Sequence, residues 1–232
     1  MDVSKRIEFI IENLEKVDTL ADIGTDHGYI PVYLIQNNIS QKVIATDISL
    51  ASLNKTVTYV NSLHLNDKID TRFGDGLDVI EPNEVDTVII AGMGGVLISK
   101  ILDNNKEVCD TVENFILQPM VASRELRQYL VENGYEIVNE SLAKEGRRFY
   151  EIIQAKRGKG NIHKDLHYDV GHKLIEKEHP LVKEFVDFKI NEIEEILSKL
   201  GLDDTDKTVE RRKELTKKLE EYKEVAKQIE SN

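Results

Sequence analysis

The sequence is poor in residues that mark secreted or membrane-bound proteins. In 232 residues it has no tryptophan, four prolines and a single cysteine, Cys109. One cysteine cannot form an internal disulfide, which agrees with a reducing compartment. No apolar run is long enough to span a membrane, and residues 1–9 carry charges where a secretory signal needs an apolar core. These absences predict a cytoplasmic protein with no membrane partner.

Positive charge is also scarce. There are 31 lysines and arginines against 43 aspartates and glutamates, a net charge of −12. Phosphate contacts need clustered basic residues, so this total argues against a nucleic-acid partner. However, residues 1–155 hold 14 basic and 25 acidic residues, whereas residues 156–232 hold 17 basic and 18 acidic ones. The C-terminal part therefore has the cations that could contact phosphate.

Apolar segments alternate with amphipathic helical segments up to residue 155, which is typical of a doubly wound α/β sheet. We predict strands at 19–23, 42–47, 69–73, 85–91, 113–118, 135–142 and 148–155. The first five are short and apolar, as buried parallel strands are, and the last two should form a hairpin. Five parallel strands followed by a C-terminal β-hairpin predict a Rossmann-like class I methyltransferase sheet, since a plain dinucleotide-binding fold keeps its strands parallel. Ser49 and Ser123 are predicted helix N-caps, and Gly134 a helix end.

A basic, glycine-containing linker, Lys156-Arg-Gly-Lys-Gly160, ends the strand pattern. Beyond it, apolar residues recur at three- and four-residue steps in two segments separated by Gly201 and the polar run 203–206. Two such stripes predict an antiparallel helical hairpin of coiled-coil type. We therefore predict a cofactor-binding domain over residues 1–156 and a C-terminal helical domain over residues 157–232.

A glycine-containing turn follows the first strand, in Asp22-Ile-Gly-Thr-Asp-His-Gly28. The dinucleotide fingerprint asks for three glycines, whereas only Gly24 and Gly28 flank Thr25, Asp26 and His27 here. A negative Asp26 would repel a pyrophosphate, but it suits a cofactor that carries an ammonium and a sulfonium. An ordinary strand-to-helix turn is the alternative interpretation.

Acidic residues also end the next two strands. Asp47, followed by Ile48, lies about twenty residues past the glycine turn, where a carboxylate can accept hydrogen bonds from both ribose hydroxyls. Its alternative role is only to cap the helix near Ser49. Asp75 and Gly76 follow the third strand, where the carboxylate could receive an adenine amino group. Since ligands in this architecture lie along the carboxyl edge of the sheet, the series predicts S-adenosylmethionine as cofactor.

The fourth strand ends in Gly92-Met-Gly-Gly95. Amino-methyltransferases that act on exocyclic adenine nitrogens usually carry an Asn/Asp-Pro-Pro-aromatic loop at this point, and that loop is absent. Glycines permit close backbone approach, so we expect Gly92 and Met93 at the methyl-donor end and Gly94 beside a flat base. The alternative is that these glycines serve packing alone.

Together these segments resemble a known family, the bacterial tRNA (adenine(22)-N1)-methyltransferases. The resemblance covers essentially the whole chain, although family members more often have Ser-Asp-His-Ala where this chain has Thr-Asp-His-Gly. It implies methyl transfer from S-adenosylmethionine to N1 of an adenine in the D-arm region of tRNA, without a metal. The segments that carry it are Ala21-Asp-Ile-Gly-Thr-Asp-His-Gly-Tyr-Ile-Pro31, Gly74-Asp-Gly76, Ala91-Gly-Met-Gly-Gly95, Gln118-Pro119 and Arg124-Glu-Leu-Arg127 before Gly134-Tyr135.

The resemblance also suggests residues for the transfer itself. Methylation leaves a cationic base, so a carboxylate that accepts from the exocyclic amine would stabilise the product, and Asp26 is the first candidate. His27 and Tyr29 are candidates for orienting the base, with structural hydrogen bonding and packing as their alternatives. Gln118 either contacts a base edge or caps its strand.

Substrate tRNA would need cations. We predict contacts from Arg147 and Arg148 in the hairpin and from the C-terminal run Arg211, Arg212 and Lys213, although a helical charge run is more commonly a solvated face. The spacing of His163 and His167 raises a metal site, but no cysteine or suitably placed carboxylate completes it.

Two other functions stay open at this stage. One is a methyltransferase for a small molecule or a protein, in which the helical hairpin serves as a lid or a dimer interface. The other is a non-catalytic RNA-binding protein with the same fold. We expect a monomer, with a dimer through the hairpin as the alternative.

Overall fold

The computed structural model describes residues 4–162, 164–200 and 206–231. They belong to two compact units, Met1–Asn161 and Ile162–Asn232. The boundary predicted after residue 156 lies within the last strand of the first unit, which ends at Arg157. The assignment of separate functions to the two parts of the chain stays a prediction.

The first unit is built on a seven-stranded sheet whose order is β3-β2-β1-β4-β5-β7-β6. The first five strands pair in parallel, and β7 runs antiparallel to β5 and β6. This is the predicted Rossmann-like class I methyltransferase sheet, and that prediction is confirmed. The strands are β1 (Val17–Ile23), β2 (Ser40–Asp47), β3 (Ile69–Phe73), β4 (Thr87–Gly94), β5 (Asn114–Val121), β6 (Tyr135–Glu145) and β7 (Arg148–Arg157).

The described part of this unit has six helices, of which the first precedes the sheet and the others lie between its strands: α1 (Lys5–Glu12), α2 (Tyr29–Gln36), α3 (Leu50–Ser62), α4 (Gly95–Asn104), α5 (Lys106–Cys109) and α6 (Ser123–Glu132). The Ser49 cap is confirmed, because its hydroxyl accepts from the amide of Ser52 at 3.3 Å. The Ser123 cap is wrong: α6 is preceded by Ala122 at φ 60°, and the Ser123 hydroxyl donates to Glu151 instead. Gly134 has φ 78°, as the predicted helix end requires.

A buried ion triad joins α6 to the β6–β7 hairpin. Arg127 is fully buried and donates to Glu140 and Glu151, at 2.6 Å in each case. Two carboxylates that share one guanidinium, with Ser123 donating to the second at 2.7 Å, satisfy charges that would otherwise be costly so far from water. The triad holds the antiparallel edge of the sheet against its last helix.

The second unit is helical and consists of α7 (Leu166–Val170), α8 (His172–Glu176), α9 (Val182–Lys199) and α10 (Asp206–Ser231). Ion pairs Lys183–Glu230 and Lys223–Glu194 show that α9 and α10 run antiparallel, as predicted for a helical hairpin. Coiled-coil packing between them stays a prediction. The short helices α7 and α8 were not predicted from the sequence. His163, considered above for a metal site, and residues 201–205, where the sequence predicts a polar turn, lie outside the described residues.

Within the described ranges, none of the helices is both long enough and apolar enough to cross a membrane. The same ranges contain no cluster of three or more His, Cys, Asp or Glu side chains that could hold a metal ion. Cys109 is a buried free thiol at the end of α5, and burial raises its pKa.

Candidate active site

The turn after β1 lies at the carboxyl edge of the sheet and has the geometry that its glycines allow. Gly24 and Gly28 have φ values of 75° and 74°, a region that other residues rarely adopt. The amides of Gly24 and Thr25 both donate to the carbonyl of Thr46 at the end of β2, at 2.9 Å. A Cβ on Gly24 would lie 2.3 Å from Cε of Met93, so the end of β4 covers this turn. The glycine segments of β1 and β4 therefore meet.

Asp47 connects the end of β2 to the same turn. Its buried carboxylate accepts from the Ser49 amide at 2.7 Å and from the Asp26 amide at 3.1 Å. The first contact is the local capping role considered above, whereas the second orients the carboxylate against the glycine turn. Each carboxylate oxygen has a second lone pair, so these contacts leave capacity to accept ribose hydroxyls. Ribose binding stays a prediction.

Asp22, the last polar residue of β1, is buried without a complete set of partners. Its Oδ2 and the Thr25 hydroxyl have no hydrogen-bond partner among the described residues. Burial raises the pKa of Asp22 to about 7, while the nearby Thr25 hydroxyl and the Arg6 charge act in the opposite direction. A buried, incompletely satisfied carboxylate beside a glycine turn is suited to a cationic ligand group such as an ammonium.

Asp26, His27 and Tyr29 form an exposed surface next to this turn. Asp26 has φ 52°, its carbonyl accepts from the Thr56 hydroxyl at 3.1 Å, and its carboxylate lies 2.7 Å from Nδ1 of His27. The other ring nitrogen of His27 lies 3.4 Å from Nζ of Lys55, and its ring stacks on Tyr29 with centroids 5.5 Å apart. These contacts agree with the alternative given above for His27, a structural hydrogen-bonding role. The Asp26 carboxylate remains 63% exposed.

Polar backbone groups and exposed apolar side chains lie at the ends of the neighbouring strands. Asp75 is exposed, and the carbonyl of Gly76, whose φ is 55°, accepts from the Thr46 hydroxyl at 3.4 Å. Large apolar side chains are exposed at the ends of β2, β3 and β5 and at the start of α4; they are Ile48, Phe73, Leu97, Met120 and Val121. Exposed apolar groups beside a few polar ones fit flat heterocyclic ligands.

Gln118, predicted either to contact a base edge or to cap its strand, has partners inside the protein. Its side chain is fully buried at the end of β5, and its amide oxygen accepts from Nη1 of Arg6 at 2.9 Å. Its amide nitrogen donates to the Pro119 carbonyl at 3.0 Å. Both ends of the amide are therefore used inside the protein, which favours the strand-capping alternative. Gly94, the other predicted base-side residue of this edge, precedes α4 with φ −71°.

The predicted cations lie in both units. In the first, Arg147 and Arg148 are exposed where β6 turns into β7. In the second, Arg211 pairs with Glu214 at 3.1 Å and Lys213 is exposed. Arg212 donates to the carbonyl of Leu200 at 2.7 Å, so it helps to end α9. Arg211 and Lys213 are thus better placed than Arg212 to contact a substrate.

Sequence reasoning missed Arg6, Lys55 and Thr56. Each reaches the site across a long stretch of chain: Arg6 contacts a residue 112 positions away, and the two α3 residues contact positions 28 and 30 residues before them. On the sequence they are ordinary polar positions of amphipathic helices, with no local signal of function.

The sheet order, the antiparallel seventh strand and the acidic residues that end β1 and β2 define a Rossmann-like S-adenosylmethionine-dependent methyltransferase. The model of the tRNA (adenine(22)-N(1))-methyltransferase family, TrmK, matches residues 20–224. The chain belongs to this family, and the resemblance inferred from the sequence motifs is confirmed.

Similar proteins agree with this assignment. The tRNA (adenine(22)-N(1))-methyltransferase of Bacillus subtilis is 35% identical over 158 residues, which are 68% of this chain and 66% of that protein. The crystal structure of the B. subtilis m1A22 tRNA methyltransferase TrmK has a TM-score of 0.88 at 29% identity, covering 97% of this chain and 99% of that one. A Streptococcus pneumoniae protein in complex with S-adenosyl-L-methionine has a TM-score of 0.86 at 29% identity, with 97% and 100% covered.

Proposed function

We propose that this chain methylates N1 of adenine 22 in tRNA with S-adenosylmethionine as methyl donor. The single observation that carries the proposal is the meeting of Asp22, the Gly24 turn and Asp47 at one sheet edge, in a chain that belongs to this family. S-adenosylmethionine, when bound, would supply an electrophilic methyl group on its sulfonium for in-line attack by the N1 lone pair, with S-adenosylhomocysteine as the leaving group.

The residues present fit such a cofactor. Asp22 would take the α-ammonium, and Asp47 the ribose hydroxyls. Asp75 and Gly76, with Ile48 beside them, would hold the adenine moiety. The backbone of the glycine turn and of the β4 end would pass along the donor end, because their glycines permit close approach. The turn residues proposed for this contact are Gly24, Thr25, Gly28, Gly92 and Met93.

The target adenine requires positioning more than a base, because its N1 lone pair is already free. Asp26 would accept from the exocyclic amine and stabilise the positive charge that methylation places on the ring. Its contact with His27 at 2.7 Å holds the carboxylate in place. Tyr29, 43% exposed, would lie against the target base, and Gly94 would leave room for it.

The decisive experiment is incubation with tritium-labelled S-adenosylmethionine and an unmodified tRNA transcript, followed by nucleoside analysis. We expect label in 1-methyladenosine, and none from a transcript with guanosine at position 22. Asp26→Asn should lower kcat by about 10- to 1000-fold with little change in cofactor affinity. Asp67→Asn, an exposed carboxylate before β3, is the matched control. Label on a metabolite, or in tRNA regardless of position 22, would contradict the proposed substrate.

Docking of tRNA would use cations outside the acidic site. We propose that Arg147 and Arg148 on the hairpin turn, and Arg211 and Lys213 on α10, contact the phosphate backbone. Charge reversal of Arg211 and Lys213 together should weaken tRNA binding by at least about tenfold and reduce its salt dependence. Reversal of Lys68, exposed directly before β3 in the first unit, should change neither. Equal affinities for the three proteins would exclude Arg211 and Lys213 as tRNA contacts.

We further propose that the protein acts in the cytoplasm as a monomer. Light scattering after size-exclusion chromatography checks the second point, and a dimer that dissociates on substitution of exposed α9–α10 residues would contradict it.

A further inference from the structure

Arg6 on α1 reaches the donor end of the proposed cofactor site. Its Nη1 donates to the buried amide of Gln118 at 2.9 Å and would lie 3.0 Å from a Cβ on Gly92. The guanidinium is therefore held against the glycine turn that ends β4. It is also close enough to Asp22 for its positive charge to lower the pKa of that carboxyl.

Arg6 and Asp22 are both incompletely partnered. Gln118 is the one hydrogen-bond partner of the Arg6 side chain among the described residues, which leaves most of the five guanidinium N–H groups free. Asp22 has an unpartnered oxygen, and the two side chains do not pair with each other in the described part of the chain. A cation and a carboxylate held near one another without contact are complementary to a ligand that carries both charges on adjacent groups.

We propose that Arg6 binds the α-carboxylate of S-adenosylmethionine while Asp22 binds the α-ammonium, so that the two residues recognise the zwitterionic amino-acid end. This inference rests on the proposed cofactor. It adds a binding residue from a segment that precedes residues 20–224, the range matched by the family model. The Gln118 contact uses one N–H group of the guanidinium, and the planar group keeps further donors of the kind that bind a carboxylate in pairs.

Changing the ligand distinguishes carboxylate binding by Arg6 from a merely structural role of Arg6. Calorimetry would measure the affinity of wild type, Arg6→Gln and Arg6→Lys for S-adenosylmethionine and for its decarboxylated analogue, which keeps the amine and lacks the carboxylate. Arg6→Gln should weaken S-adenosylmethionine by about 10- to 100-fold and the decarboxylated analogue by less than about threefold. Arg6→Lys should recover part of the loss for the first ligand alone.

Lys5→Gln, which removes an exposed charge from the same helix, is the matched control and should change neither affinity. Gln118→Met tests the support of the guanidinium; it should weaken S-adenosylmethionine less than Arg6→Gln does. An equal loss for both ligands in Arg6→Gln and Arg6→Lys would overturn the proposal and assign Arg6 a structural role. Absence of S-adenosylmethionine binding in wild type would instead contradict the proposed function itself.

If Arg6→Gln does not fold, wild type and Arg6→Lys still decide the question. Wild type should prefer S-adenosylmethionine to the decarboxylated analogue by about tenfold or more, and Arg6→Lys should reduce that preference. An unchanged preference in a folded Arg6→Lys protein, or none in wild type, would overturn the assignment.

Discussion

The buried carboxyl of Asp22 should make cofactor binding depend on pH near neutrality. Burial raises its pKa to about 7, and a bound ammonium requires the carboxylate form. If only that form binds, the dissociation constant is multiplied by one plus ten to the power of the pKa minus the pH. The affinity for S-adenosylmethionine should then fall about eightfold from pH 7.5 to pH 6. Above pH 8 affinity should fall again, because the ligand amine loses its proton.

The same shift should cost the free protein stability. The folded pKa lies above the unfolded value of 3.8, so this contribution is most favourable at low pH and is lost as pH rises through about 7. Asp22→Asn removes the ionisation. The variant should therefore gain stability relative to wild type by about 2 kcal/mol between pH 5.5 and pH 8, measured by urea unfolding. At pH 8 it should nevertheless bind S-adenosylmethionine at least about tenfold more weakly.

Titration calorimetry at several pH values, in buffers of different ionisation enthalpy, measures both the affinity and the proton released on binding. 5′-Methylthioadenosine, which lacks the amino-acid end, is the control and should bind with little pH dependence in this range. Wild-type affinity that stays flat between pH 6 and 7.5, or an Asp22→Asn protein with the wild-type profile, would refute the role given to this carboxyl.

Two further predictions concern the scaffold. Arg127→Met should lower the free energy of unfolding, measured by urea titration, by about 3–5 kcal/mol, because two buried carboxylates lose their shared cation. Replacing Glu140 and Glu151 by apolar residues in the same variant should restore part of the lost stability. A loss below about 1 kcal/mol for Arg127→Met would contradict the role given to the triad. Gly24→Ala and Gly146→Ala each place alanine at a positive φ and should cost about 1 kcal/mol. Only Gly24→Ala should also weaken S-adenosylmethionine binding, by about tenfold or more. The new methyl group at position 24 meets the Met93 side chain, whereas nothing lies within 4 Å of a Cβ at position 146. Equal affinities of the two variants in calorimetry would refute the prediction.

Much of the first unit follows from local pattern. Four of the five parallel strands, β1, β2, β4 and β5, contain a run of at least four buried residues. Glycine or acidic residues follow several strands, so their ends could be located to within a few residues. The glycine after β1 predicted a tight turn, and Gly24 adopts φ 75°, which glycine reaches without strain. Ser123 was harder, because its hydroxyl finds a carboxylate 28 residues away that competes with capping.

The sequence predicts which residues come together in the site, but it does not predict their burial. Asp22, Asp26, Asp47 and the glycines are local to strand ends, and parallel strands place such ends at one edge, so their proximity could be predicted. Whether a carboxylate at this edge is solvated or buried depends on the residues that pack over it. Burial by those residues raises the pKa of Asp22. The sequence could not indicate that difference between Asp22 and the exposed Asp26.

Long-range packing decided the remaining features. From the sequence, Gln118 could either contact a base edge or cap its strand; the fold buries it and joins it to Arg6 across 112 residues. Arg212 looked equivalent to its neighbours, yet it ends a helix within its own unit. Short-range periodicity and turn chemistry thus determined the strands, the glycine turn and the acidic edge. The partners and the solvation of each charged side chain depend on residues distant in sequence, and only the tertiary structure brings them together.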